Sequence, residues 1–131
     1  SEGLLLFCND PAWAAAITDP ARGPSKTYHV QVDRLLDATQ LSLLETGLDV
    51  DGALLRASRA RSLRTGARNC WLEIVLEEGR NRHIRRLLEA FDIGVLRLVR
   101  TAIGPLELGD LPKAGWRELD ASEVRALATP A

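Results

Sequence analysis

The stretch EGRNRHIRRLLEA, residues 78–90, decides how the rest of the chain is read. Ile84, Leu87, Leu88 and then Phe91 recur at i, i+3, i+4 and i+7, which predicts a helix over 81–91 with one apolar stripe. On that helix Arg82 and Arg86 fall opposite Ile84, away from the core and ready for phosphate. Arg85 and His83 fall on the two flanks of the stripe. An arginine on a flank can pack its stem while its head enters a cleft. Gly79 precedes the helix, where the first helical N–H groups lack partners and suit an anion. Taken alone, these features fit any anion-binding or RNA-binding module.

Upstream, Lys26–Asp33 (KTYHVQVD) alternates, with Tyr28, Val30 and Val32 pointing one way and Thr27, His29, Gln31 and Asp33 the other. That is the pattern of a half-buried strand. Lys26 reads as a strand-edge charge and His29 as an exposed side chain. Leu4–Cys8 reads as a short buried strand, and Asp10-Pro11 as an N-cap followed by proline at the first helical position, opening a helix through Trp13 and Ile17. Asp37 with Gln40 forms a capping-box start for a second helix through Leu44, which Gly47 can end. Ala53–Ser58 and Cys70–Glu77 read as strands, joined by an arginine-rich segment at Arg59–Arg68. Downstream come a strand at Val95–Ala102, turns at Gly104-Pro105 and Gly109-Asp110, and a short strand at Trp116–Leu119. Asp120 with Glu123 then starts a terminal helix through Leu127. Strands outnumber long helices and lack βαβ alternation, so the expected class is α+β with a largely antiparallel sheet flanked by helices.

The net charge of −1 conceals an asymmetry. Residues 1–55 hold three basic and eight acidic side chains, residues 56–100 hold eleven arginines and five acids, and residues 101–131 hold three basic and five acidic. The middle third is thus strongly positive and contains no lysine. Arginine forks onto phosphate and stacks on bases, so a basic face for an anionic polymer is expected. The competing reading is a solvated, ion-paired surface. No apolar run is long enough for a membrane span, and no secretory leader is recognisable. Cys8 and Cys70 make neither a disulfide framework nor a zinc site, and read as reduced, buried thiols of a cytosolic protein. Trp13, Trp71 and Trp116 read as packing residues.

The words EGRNRHIRRLLEA and VLRLVRTAIGPLELGDLP resemble the C-terminal motif of the RsuA-type family of ribosomal RNA pseudouridine synthases. KTYHVQV resembles that family's Lys-x-Tyr strand. SEGLLLFCND resembles the segment after its catalytic Arg-Leu-Asp-x-x-Ser-x-Gly-Leu-Leu motif. Order and spacing agree over essentially the whole chain. The resemblance implies the pseudouridine-synthase fold, ribosomal RNA as partner, no metal or organic cofactor, and a cytoplasmic location. It places the nucleophilic aspartate just upstream of Ser1, so residues 1–131 are expected to be the C-terminal portion of a catalytic domain, inactive alone. Carried over by motif position, Tyr28 is the tyrosine that packs on the target base and Arg85 the arginine that pairs with the aspartate. Leu98 is the apolar wall on the other side of the base. Arg80, Arg82 and Arg86 are expected at the RNA backbone, with Lys26 beside them. The family usually has Gln where this chain has His83, and His83 can titrate. The bland rivals are a core role for Tyr28 and Leu98 and a one-turn pair of Arg85 with Glu89. The alternative function is a non-catalytic RNA-binding module built on the arginine helix; a third possibility is a structural domain with no nucleic-acid role.

Overall fold

The computed structural model describes residues 2–6, 10–18, 23–77, 82–109, 115 and 117–128. Chain order runs β1 (Glu2–Gly3), α1 (Pro11–Thr18), β2 (Lys26–Val32), α2 (Ala38–Thr46), β3 (Leu48–Val50) and β4 (Ala53–Leu55). It continues through β5 (Arg59–Thr65), β6 (Cys70–Leu76), α3 (His83–Ala90), β7 (Val95–Ile103), β8 (Leu106–Glu107) and α4 (Ala121–Ala128). The class is α+β, as the strand-rich pattern predicts.

One sheet dominates, in the order β1-β7-β2-β6-β5, with β8 paired to β7. β2 sits at its centre, antiparallel to both β6 and β7. The alternation read in KTYHVQV sets which face each residue takes. Lys26, Val30 and Val32 are buried on one face, and Tyr28 packs at the margin of the same core. β6 alternates in phase: Cys70, Leu72, Ile74 and Leu76 are buried between half-buried neighbours. α3 lays Ile84, Leu87 and Leu88 onto this face, with Phe91 packed beside them. A smaller second core joins Ile17 of α1, Ile103 and Leu106 of the sheet, and Leu127 of α4.

The helix starts follow local capping chemistry. Asp10 Oδ1 accepts from the Ala12 and Trp13 amides at the head of α1. Asp37 and Gln40 exchange side-chain and backbone bonds of 2.9 and 2.8 Å at the head of α2. Such a cap is worth about 1 kcal/mol. Gly47, at φ +84, closes α2 by donating its N–H to the Leu43 carbonyl at 2.8 Å. Asp120 and Glu123 repeat the reciprocal box at α4.

Four expectations are corrected. The first strand is only Glu2–Gly3; Leu4–Leu6 follow it without strand structure, Leu5 is 63% exposed, and Cys8 lies outside the described residues. Arg59–Thr65 is not a connector but a strand, β5, because its ladder with β6 satisfies the backbone whatever the side-chain charge. Ala53–Leu55 ends earlier than expected and pairs with Leu48–Val50, a hairpin the apolar pattern did not reveal. Residues 117–120 form no strand, and Trp116 lies outside the described residues.

Candidate active site

A cleft of about 540 Å³ opens between the two cores, on the helix-bearing face of the sheet. Its floor is built by the central strands. Lys26 and Tyr28 come from β2, and their cross-strand neighbours Ile103 and Arg100 come from β7, with Leu98 opposite Val30. Because strand side chains alternate, these residues must share one face. One wall is the start of α3, with Arg82, His83, Ile84 and Arg85. The other is the segment Leu5–Leu6 and the end of α1.

Five of the residues singled out in the sequence therefore line one cleft: Lys26, Tyr28, Arg82, Arg85 and Leu98. Arg85 is half-buried, and among the described residues no carboxylate lies within ion-pair distance of it; the one-turn pair with Glu89 does not form. Leu98 is buried and belongs to the core as well as to the cleft floor. Arg86 is half-buried on α3 and does not line the cleft, so it faces water less than the helical wheel suggests. Arg80, and Gly79 with it, lies outside the described residues.

Three positions differ from their sequence reading. Arg82 is not inside the helix but is its N-cap, at φ +52 and ψ +34, with no side-chain cap bond. The left-handed turn takes it off the wheel, and its side chain lines the same cleft as Arg85 instead of the opposite side. Lys26 is no edge charge: β2 has partners on both sides, and Lys26 is only 9% exposed at the cleft floor. His83 is buried, at 3% exposure, where its Nε2 meets the Arg56 carbonyl at 2.8 Å and ties the start of α3 to the end of β4.

Sequence reasoning missed Arg100. Its backbone carbonyl accepts from Leu4 N–H at 2.9 Å, while its own Nε donates to the Leu4 carbonyl at 2.8 Å. Both bonds hold the N-terminal segment against β7 beside the cleft. Gly3 makes this approach possible: it sits at φ +97, and a Cβ there would overlap the Arg100 carbonyl. Arg100 lies two residues beyond Leu98, on the same strand face, which was the available signal.

Away from the cleft, Glu73 is held below the usual carboxylate range chiefly by its hydrogen bond to Arg61, with further help from that charge, His29 and Arg59. His29 thus has a partner, 3.8 Å from Glu73, and is not simply exposed. Burial raises the Cys70 thiol, so it stays protonated and unreactive. Among the described residues no group of three or more His, Cys, Asp or Glu could hold a metal ion, and no helix is long and apolar enough to cross a membrane.

Comparison with known proteins agrees with this geometry. A family model described as RNA pseudouridylate synthase matches residues 1–90. The ribosomal large subunit pseudouridine synthase E of Xanthomonas campestris pv. campestris is 37% identical over 140 residues, covering 95% of this chain and 75% of the relative. An uncharacterised RNA pseudouridine synthase of Aquifex aeolicus is 35% identical, covering 97% of this chain and 51% of its own length. The ribosomal large subunit pseudouridine synthase B of Pasteurella multocida is 34% identical; the match covers 97% of this chain but 37% of that protein. A crystal structure of a pseudouridylate synthase superposes with a TM-score of 0.72 at 25% identity, over 88% of this chain and 50% of that one. The chain thus spans three quarters of the first relative and about half or less of the others. With the family model matching well over half of its residues, this chain belongs to the RNA pseudouridylate synthase family.

Proposed function

We propose that this chain is the C-terminal portion of a catalytic domain that isomerises a uridine of ribosomal RNA to pseudouridine. The observation that carries the reading is the meeting of Tyr28, Arg85 and Leu98 in one cleft beside the N-terminal segment. In that cleft the ring of Tyr28 packs on a uracil flipped from its stack, and Leu98 closes the other side. Arg85 pairs with the nucleophilic aspartate supplied just upstream of Ser1 and favours its ionised form. Arg80, Arg82 and Arg86, with Lys26, serve the RNA strand. The reaction breaks the bond from ribose C1′ to uracil N1, forms one from C1′ to C5, and exchanges the proton lost from C5 for one gained at N1. No electrons are gained or lost, so no redox partner is required. A cytoplasmic location belongs to the same proposal. The relatives' synthase names favour this over a module that only binds RNA.

The test extends the chain upstream by the Arg-Leu-Asp segment and measures tritium release from 5-tritiated uridine in ribosomal RNA. Release is expected in the extended protein, and its fall by about a hundredfold or more is expected in Arg85→Ala, given the usual weight of a group that orients a nucleophile. Tyr28→Ala is expected to abolish turnover as well. Full activity in Arg85→Ala or Tyr28→Ala would remove that residue from the mechanism.

A further inference from the structure

The two cores and the cleft draw on one face of the sheet; among the described residues the other face carries neither. It presents Thr27, His29 and Gln31 of β2 beside Val75, Glu73 and Trp71 of β6. None of these belongs to either core, and among the described residues no helix packs on them. Onto this face the register brings arginines from two distant strands. Arg59, Arg61 and Arg64 of β5 stand opposite Val75, Glu73 and Trp71, and Arg97 of β7 stands opposite Gln31.

Charges on an edge strand protect it from pairing with other chains. That accounts for β5 but not for Arg97, which stands three strands away on the interior strand β7. Among the described side chains of β5, β6, β2 and β7 on this face, Glu73 is the one carboxylate beside Arg59, Arg61 and Arg64, with Arg97 engaged in an interaction of its own. Glu73 is already engaged by Arg61 at 2.7 Å. Just past the strand ends the same alternation adds Asp33, which pairs with Arg34 at 3.3 Å, and Glu77, two residues beyond Val75. Arg59 and Arg64 pair with no described carboxylate. Arg64 instead lies over the Trp71 ring, 5.0 Å from its centroid, a flat cation–aromatic pair at the surface.

We infer that this bare face is a second RNA-binding surface, which takes the sugar-phosphate backbone of a single strand along β5 and stacks a base on the Arg64–Trp71 pair. A row of guanidinium groups with a stacking platform is the chemistry that grips single strands without reading sequence. It is separate from the cleft and does not depend on the cleft being catalytic. An acidic protein would satisfy the charge but leave the platform unused.

The experiment uses the chain as it stands and a labelled oligocytidylate of about 20 nucleotides, which offers phosphates and bases but no uridine for the cleft. Binding is followed by fluorescence anisotropy between about 50 and 200 mM salt. The parent chain is expected to bind, more weakly as salt rises. In Arg59→Gln/Arg64→Gln, affinity at low salt should fall by about tenfold or more, and the salt slope should flatten by about 1.4, two phosphates' worth. Arg59→Lys/Arg64→Lys should keep the slope yet bind less tightly, because lysine holds charge without the fork or the flat face. Arg125→Gln, on α4, should behave as the parent. Circular dichroism checks that each variant is folded. Unchanged binding by the folded glutamine variant would overturn the inference, as would absence of oligocytidylate binding by the parent. Polyglutamate competing as well as RNA of equal charge would overturn it in favour of an acidic protein partner. Failure of the cleft reading shows differently: no tritium release from the extended protein, with oligocytidylate binding intact.

Discussion

Arg82 holds a left-handed backbone, φ +52, that costs a residue with a Cβ on the order of 1 kcal/mol. What it gains is position: the turn leaves Arg82 lining the cleft on the same wall as Arg85, three residues on. Gly3 solves a related problem without strain, letting the chain touch Arg100. Gly3→Ala should therefore lower stability by about 1–3 kcal/mol, since both the positive φ and the overlap with the Arg100 carbonyl oppose the new Cβ. A thermal melt matching the parent's would show that the Gly3–Arg100 contact is not made in solution. At this scale the sequence was legible in part. Tyr28, Arg85 and Leu98 line one cleft, on the sides that alternation and the helical wheel give them, whereas Arg82 escaped the wheel. A wheel assumes every residue is inside the helix, and nothing in the letters marks a left-handed cap at an arginine.

The elements divide by how their ends are held. The α2 and α4 starts were readable because a capping box is a contact between residues three apart. In α4 the box is reinforced: Glu123 also takes two bonds from Arg117, at 2.9 and 2.7 Å. The Arg117 bonds first, then the Asp120 amide, pull its carboxyl from the ordinary 4.5 down to about 2. A folded value below the unfolded one means the cap contributes fully above about pH 4.5 and is lost as pH falls through about 2. Hydrogen exchange or helical circular dichroism across that window should show α4 loosening, and Glu123→Gln should flatten the dependence. A titration of α4 identical in the two proteins would refute the link. β5 was unreadable at this scale, because its strand character comes from pairing with β6 and its own side chains are mostly polar.

For the whole molecule, the larger core under β2, β6 and α3 gathers sixteen buried residues among those described, and the smaller one under α1 and α4 gathers four. Opening free energies should follow that difference, with β2 and β6 amides exchanging slowest and those of α1 and α4 markedly faster. Equal protection in both would mean that the two cores fold as one unit. The cleft lies on the seam between them. Periodicity, caps and the Arg-rich middle third sufficed to indicate an α+β chain, which residues of β2 and α3 turn inward, and the family whose words they spell. Those are properties of neighbours along the chain, whose spacing a sequence records directly. Only the tertiary structure decided that Lys26 is interior, that Arg82 joins Arg85, that Arg100 grips Leu4, and that Arg59, Arg64 and Arg97 share one bare face. Each of those depends on strand order and register, which are contacts between residues far apart in sequence and leave no local trace.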